Sequence, residues 1–194
     1  MNFSELRSTN GGFTLMELLA GILISGIVLT GIYSVFISQQ RAFSAQERVA
    51  EMNQNIRAAM DLMTREIRLA GYRAPGATFN GIATAQPRVI QVLADLNQDG
   101  DTADTNENVT YGYNTNTLQI WRNAVTLPIA ENITNLGFSY TLANGTTTSN
   151  PANLADIRMA TITITARTAY PDPNTGQFRT ITLASTVTPR NLVD

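Results

Sequence analysis

The sequence predicts an α+β fold in which one long N-terminal helix packs on an antiparallel β-sheet head domain. Three patterns support this prediction. An apolar run covers residues 13–37, and it is long enough to form a transmembrane helix. An apolar helical stripe continues to Ala70, and no proline interrupts the chain from residue 13 until Pro75. Beyond that proline, apolar and polar residues alternate with the period of strands.

The apolar run at residues 13–37 carries a single charge, the carboxylate of Glu17. At about 1.5 Å per residue its helix would measure roughly 37 Å, against a hydrocarbon thickness of about 30 Å. A cleaved signal peptide fits poorly, because the preceding residues are barely basic and no convincing cleavage site follows. A plain membrane anchor explains the length, but it leaves a carboxylate that costs about 2.5–3.5 kcal/mol at the centre of a span.

The stretch GGFTLMELL, residues 11–19, resembles the prepilin motif of type IV pilins. In that motif a short polar leader ends in glycine, and an aromatic residue, Thr-Leu, one further residue, Glu and a long apolar helix follow. The resemblance implies that a prepilin peptidase cuts between Gly12 and Phe13 and so removes residues 1–12 as a leader. It also implies N-methylation of the new amine of Phe13.

The same resemblance implies a role in assembly for Glu17. In the family this acid pairs with the N-terminal amine of a neighbouring subunit, and opposite charges attract strongly in a medium of low dielectric. Because an unpaired buried charge is costly, Glu17 would distinguish docked from undocked subunits. Major pilins usually have a proline within the apolar helix, so its absence here favours a minor pilin or a pseudopilin.

Residues 38–72 predict an amphipathic continuation of the helix. Apolar side chains recur every three or four positions on one face, at Val49, Met52, Ile56, Met60, Met63, Ile67 and Ala70. We expect this stripe to pack on the protein's own sheet, and a coiled-coil or partner-binding face is the alternative. The segment GYRAPG, residues 71–76, supplies a glycine and a proline that predict the end of the helix.

Residues 73–194 predict a β-rich globular head. Alternating β-forming residues predict six strands, at residues 88–94, 108–113, 117–122, 136–142, 157–170 and 178–188. Residues 114–117 and 171–176 suit turns, residues 144–153 suit a polar loop, and residues 129–134 suit a short helical turn. The helix before this head and its last strand are similar to those of minor pilins of the PilW type and of J-type pseudopilins of type II secretion.

The segment DLNQDGDTADTNE, residues 95–107, is a candidate calcium loop. It begins with the D-x-N-x-D-G pattern, in which carboxylate and amide oxygens ligate Ca²⁺ and the glycine makes a tight turn. The candidate ligands are Asp95, Asn97, Asp99, Asp101 and Asp104. The glutamate expected at the twelfth position is absent, because Glu107 comes one residue late. The alternative is a flexible hairpin loop that binds no metal; a bound ion would order the loop, and no other cofactor is expected.

The composition excludes several kinds of chemistry. The 194 residues include no cysteine and no histidine, which excludes disulfides, Cys/His zinc sites and histidine-dependent triads. A net charge of −2 and dispersed arginines predict no nucleic-acid partner. We expect no enzymatic activity, because outside the acidic loop no carboxylate pair stands out. Glu47, Glu51 and Glu66 are interpreted as solvated acids on the helix.

The sequence therefore predicts a minor pilin, a structural subunit that helps initiate or cap assembly of a type IV pilus. A pseudopilin of a type II secretion pseudopilus is the alternative, and a membrane-anchored calcium-dependent adhesin or binding module is a second. The resemblance implies a prepilin peptidase and other major and minor pilins or pseudopilins as partners. It also implies a single-pass protein of the bacterial inner membrane, with its head in the periplasm before assembly and in the pilus or pseudopilus afterwards.

Overall fold

The structure is a computed structural model that describes residues 11–192. Residues 1–10, which make up most of the expected leader, lie outside the described residues. The described elements are α1 (Leu15–Arg68), β1 (Ile82–Ala85), β2 (Val89–Leu93), β3 (Asn108–Asn114), β4 (Gln119–Arg122), β5 (Ala124–Ala130), β6 (Ile133–Leu142), β7 (Thr147–Thr148), β8 (Ile157–Arg167) and β9 (Thr180–Val187). The chain divides into two compact units, with the division between Ser44 and Ala45.

The first unit contains the apolar part of α1. Its apolar side chains are exposed from Phe13 to Phe36, and this helix is long and apolar enough to cross a membrane. The hydroxyls of Thr30 and Ser34 donate to the carbonyl oxygens four residues earlier, at 2.8 Å each. These bonds satisfy hydroxyl groups that would find no hydrogen-bond partner in apolar surroundings. The surface of this unit therefore suits lipid or another apolar helix.

The second unit has one hydrophobic core, to which the later part of α1 contributes an entire face. The buried residues of this face are Met52, Ile56, Ala59, Met60, Met63 and Ile67, and Ala70 follows just beyond the helix. They join one cluster with side chains from the strands, and Val49 packs partly buried against it. The prediction that the stripe packs on the protein's own sheet is confirmed. Gly71, with a φ of 82°, takes the left-handed conformation that ends many helices.

The antiparallel head is confirmed, and its strands divide between two sheets. One sheet has the order β1-β2-β3-β4-β5, and the other has the order β7-β6-β8-β9. Three strands were not predicted from the sequence: β1, β5 and the two-residue β7, which lies within the predicted polar loop at residues 144–153. The predicted helical turn at residues 129–134 is wrong, because this segment ends β5 and begins β6, with Asn132 at a φ of 57° between them. β5 contains Pro128, which is tolerated because β5 is an edge strand.

A polar contact joins α1 to the first sheet. Arg122 forms a bidentate ion pair with Glu66, with Nη2–Oε1 at 2.9 Å and Nε–Oε2 at 3.1 Å, and Tyr111 donates its hydroxyl to Glu66 Oε2. Burial and the hydrogen bond to Glu66 raise the pKa of Tyr111. The interpretation of Glu66 as a solvated acid is therefore wrong. The strands bring a phenol and a guanidinium to the same helix face, and the helical pattern alone does not contain that information.

Gly112 on β3 allows close packing of the indole ring of Trp121, its partner residue on β4. A Cβ atom added at Gly112 would lie 2.1 Å from Trp121 Cζ2, well inside van der Waals contact. At Gly137 on β6, by contrast, the nearest atom to an added Cβ would be Asn135 Nδ2 at 3.8 Å. The glycine at position 112 thus determines where the ring lies.

We predict that Gly112→Ala lowers the free energy of unfolding by about 1–3 kcal/mol, because the indole must move to admit the methyl group. Denaturant unfolding of the full chain in detergent micelles measures the loss. The fluorescence of Trp121, the only tryptophan in the chain, should shift to the red as the ring becomes more exposed to water. The control Gly137→Ala should stay within about 0.5 kcal/mol. Equal effects of the two variants would contradict the role of the ring.

We also predict that Glu66→Ala destabilises the second unit by about 1.5–3 kcal/mol, because it leaves two polar side chains without their shared partner. The control Glu51→Ala removes an exposed acid from the same helix and should have an effect within about 0.5 kcal/mol. Urea unfolding of the full chain in micelles compares them. If the free energy of unfolding falls no more than in the control, the ion pair makes no measurable contribution to stability.

Candidate functional site

The first turn of α1 is closed by Thr14 and Glu17. The Thr14 amide and hydroxyl both donate to Glu17 Oε2, at 2.9 Å each, and the Glu17 amide donates to Thr14 Oγ1 at 3.2 Å. This reciprocal pattern is a capping box, in which an N-cap threonine and an acid three residues later satisfy free amide donors. The T-x-x-E spacing was the available sequence signal for it. The cap gives Glu17 a structural reason to occupy the start of an apolar helix.

The capping geometry also orients the carboxylate. Glu17 is exposed, and its Oε2 atom lies against the backbone amide of Thr14, next to Phe13. The Phe13 side chain is 90% exposed. The acid and the residue expected to become the N-terminus therefore lie at the same end of α1, where the helix dipole favours negative charge.

The acidic loop connects β2 to β3. These strands pair with Leu93 opposite Asn108, and the Ala94 amide donates to the Glu107 carbonyl at 2.8 Å. The base of the hairpin therefore brings the two ends of the acidic segment, Asp95 and Glu107, next to each other. If the strands predicted at residues 88–94 and 108–113 are paired as a hairpin, this proximity follows from the sequence.

Asp95 is fully buried and organises the loop around itself. Its Oδ1 accepts from the Asp99 amide at 3.1 Å, and its Oδ2 accepts from the Ala74 and Gly100 amides at 3.1 and 3.0 Å. The Asp95 amide donates to the Tyr72 carbonyl at 2.8 Å. Asp95 thus ties the acidic loop to the segment that follows α1.

Within the described residues, 11–192, three carboxylates of the loop converge. One oxygen each from Asp95, Asp99 and Glu107 lies within 4.8 Å of the others. Glu107 is 2% exposed, and its Oε1 accepts from the Leu96 and Asn97 amides at 2.7 and 3.2 Å. Its Oε2 is buried and has no hydrogen-bond partner in the described part of the chain. Glu107 was not among the expected ligands, because its position does not fit the spacing of the calcium loop.

The other expected ligands lie at the edge of this cluster. The Asn97 amide group donates to Asp99 Oδ2 at 2.9 Å and to Asp104 Oδ2 at 2.7 Å, and Asp101 accepts from the Ala103 amide at 2.8 Å.

Hydrogen bonds from the Asp101 amide and then from Asn97 lower the pKa of Asp99. The stabilisation from these bonds is present above the ordinary carboxyl pKa of about 3.9 and is lost as pH falls through the lower folded-state value.

Comparison with known families extends over nearly the whole chain. Residues 7–33 match the model of the prokaryotic N-terminal methylation motif. Residues 45–187, which make up most of the second unit, match the model of prepilin peptidase-dependent protein B. The chain belongs to the prepilin peptidase-dependent protein B family.

Membership of the prepilin peptidase-dependent protein B family gives the chain a type IV pilin-like role. Pilin-like families are structural, and the exposed apolar helix fits a membrane-anchored pilin. The expected resemblance to type IV pilins is confirmed. No curated protein matches this chain.

We predict that Asp95→Asn loosens the acidic loop of this family member, because asparagine retains one acceptor oxygen instead of two. Hydrogen exchange of the Ala74, Asp99 and Gly100 amides should quicken by about twofold to tenfold, as expected for the loss of roughly one hydrogen bond. The measurement uses the full chain in micelles with a chelator, so that it does not depend on metal. The control Asp61→Asn changes an exposed helix acid and should leave these amides unaffected. Unchanged exchange in both variants would rule out an organising role for Asp95.

Proposed function

We propose that this protein is a minor pilin that helps initiate or cap assembly of a type IV pilus. The observation that carries the proposal is the carboxylate of Glu17 in the first turn of an exposed apolar helix, within the matched methylation motif. Cleavage between Gly12 and Phe13 by a prepilin peptidase would create a cationic amine beside it. N-methylation of Phe13 would follow and would keep that charge.

Electrostatics explains why one acid suits this task. An amine and a carboxylate about 4 Å apart attract by about 1 kcal/mol in water, and by about 4 kcal/mol at an effective dielectric constant of 20. Pairing between Glu17 of one subunit and the Phe13 amine of its neighbour therefore strengthens as lipid or packed helices exclude water. A subunit that docks without the pair leaves a charge unpaired, at a cost of about 3–5 kcal/mol.

The two parts of α1 have different tasks in this proposal. The stripe from Met52 to Ala70 is buried in the core of the second unit and is not free to contact another subunit. The apolar surface from Phe13 to Phe36 is exposed and is therefore available for contacts between subunits. Before assembly, the same part would lie in the inner membrane, with the head in the periplasm. Other pilins with the same apolar segment are the proposed partners.

We predict that the mature chain from the native host begins at N-methylated Phe13, which the mass of its N-terminal peptide would show. Glu17→Gln should reduce the amount of this protein in sheared surface filaments by about tenfold or more, while the membrane pool persists. The matched control Glu47→Gln changes an exposed acid beyond the apolar segment and should leave incorporation unchanged.

Three results would count against the proposal. An intact Met1 in the membrane-bound protein would mean that the leader is not processed. Normal incorporation of the Glu17→Gln chain would remove the acid from assembly. Loss of protein secretion with normal pili, on deletion of the gene, would replace the minor pilin with a pseudopilin of a type II secretion system.

A further inference from the structure

We propose that Asp95, Asp99 and Glu107 form a binding site for one calcium ion at the base of the β2–β3 loop. The site differs from the sequence-based ligand set, because it includes Glu107 and does not require Asp101 or Asp104. The proposal is independent of the role in pilus assembly.

The buried oxygen of Glu107 is the observation that points to a cation. Two of the three carboxylates are almost inaccessible, with Asp95 at 0% and Glu107 at 2% exposure. Backbone amides satisfy both oxygens of Asp95 and the Oε1 atom of Glu107, but no group in the described residues hydrogen-bonds to Glu107 Oε2. A buried charged oxygen without a partner is strongly destabilising.

The three carboxylates also repel one another where they converge. A cation placed among them offsets this repulsion and can take Glu107 Oε2 as a ligand. The sequence adds to this argument, since residues 89–121 contain five acids and no basic residue.

The donor atoms select the class of ion. The three carboxylates bring one oxygen each to the site, and Ca²⁺ takes six to eight oxygen ligands in flexible geometry, so it accepts further oxygens beside them. Mg²⁺ demands a near-ideal octahedron and gives up its waters reluctantly, which suits a fixed hairpin base less well. Zinc prefers the nitrogen of histidine and the sulfur of cysteine, and the chain contains neither residue. Water, or the side-chain oxygen of Asn97, would complete the coordination.

The position of the site defines what the ion does. Asp95 contacts the Tyr72 carbonyl and the Ala74 amide, and the Gly71 amide donates to the Leu93 carbonyl at 2.9 Å. A calcium ion held by Asp95 would therefore stabilise both the acidic loop and the attachment of the chain after α1 to the first sheet. Its role is structural, and no catalytic step is involved.

Isothermal titration of the full chain in detergent micelles, after removal of metal with EGTA, tests the site with CaCl₂ as the probe. We expect one ion per chain with a Kd of about 10⁻⁴–10⁻³ M, the range of extracellular calcium modules, and binding of MgCl₂ that is weaker by about tenfold or more. The temperature of unfolding should rise as Ca²⁺ is added, because only the folded chain presents the three ligands together.

Two variants give the proposal its decisive test. Glu107→Gln and Asp99→Asn should each weaken Ca²⁺ binding by about tenfold or more, and the matched control Glu131→Gln, an exposed acid on a different loop, should bind as the unaltered chain does. Asp99 is exposed, so its variant remains informative if the Glu107 variant fails to fold. No uptake of Ca²⁺ at about 10 mM, or unchanged binding by the Asp99 variant, would overturn the site.

Discussion

Burial of one face of α1 is the constraint on which the rest of the second unit depends. The residues from Met52 to Ala70 form a single cluster with inward-facing side chains of both sheets, so neither sheet has a complete core of its own. Hydrogen bonds then fix the sheets around this face. The Tyr113 hydroxyl donates to the Ile133 carbonyl at 2.8 Å, and the Tyr140 hydroxyl donates to the Gln86 carbonyl at 3.1 Å. The phenol hydroxyls of the partly buried Tyr113 and the buried Tyr140 thus give direction to a contact that apolar packing alone leaves unspecific.

Three glutamates, Glu66, Glu17 and Glu107, occupy different environments, and these environments correspond to different roles. Glu66 is matched by a guanidinium and a phenol, so it is a structural link between helix and sheet. Glu17 is matched by the threonine that caps its own helix and remains accessible. Within residues 11–192, hydrogen-bond donors reach only one of the two carboxylate oxygens of Glu107. Chemically equal side chains therefore serve in the cohesion of the fold, in the proposed assembly and in the proposed binding of an ion.

Local patterns predicted most of the fold and only part of the candidate sites. The helix, its buried stripe and its end after Arg68 follow from periodicity and from Gly71, and the longer strands follow from alternation. The strand β5 escaped prediction because Pro128 argues against a strand unless the edge position is known. The contacts of Glu66 and Glu107 were also not predicted, and these two residues share one reason. Each depends on partners that strand pairing brings from distant or opposite parts of the chain.

The capping box makes the beginning of α1 self-sufficient. Every hydrogen bond described for its first turn runs among residues from Thr14 onward, including the one from the Leu18 amide to the Thr14 carbonyl at 3.1 Å. A cut of the chain before Phe13 would break none of them. The helix would therefore keep its first turn and its register after such a cut. Removal of the residues before Phe13 would require no refolding of α1.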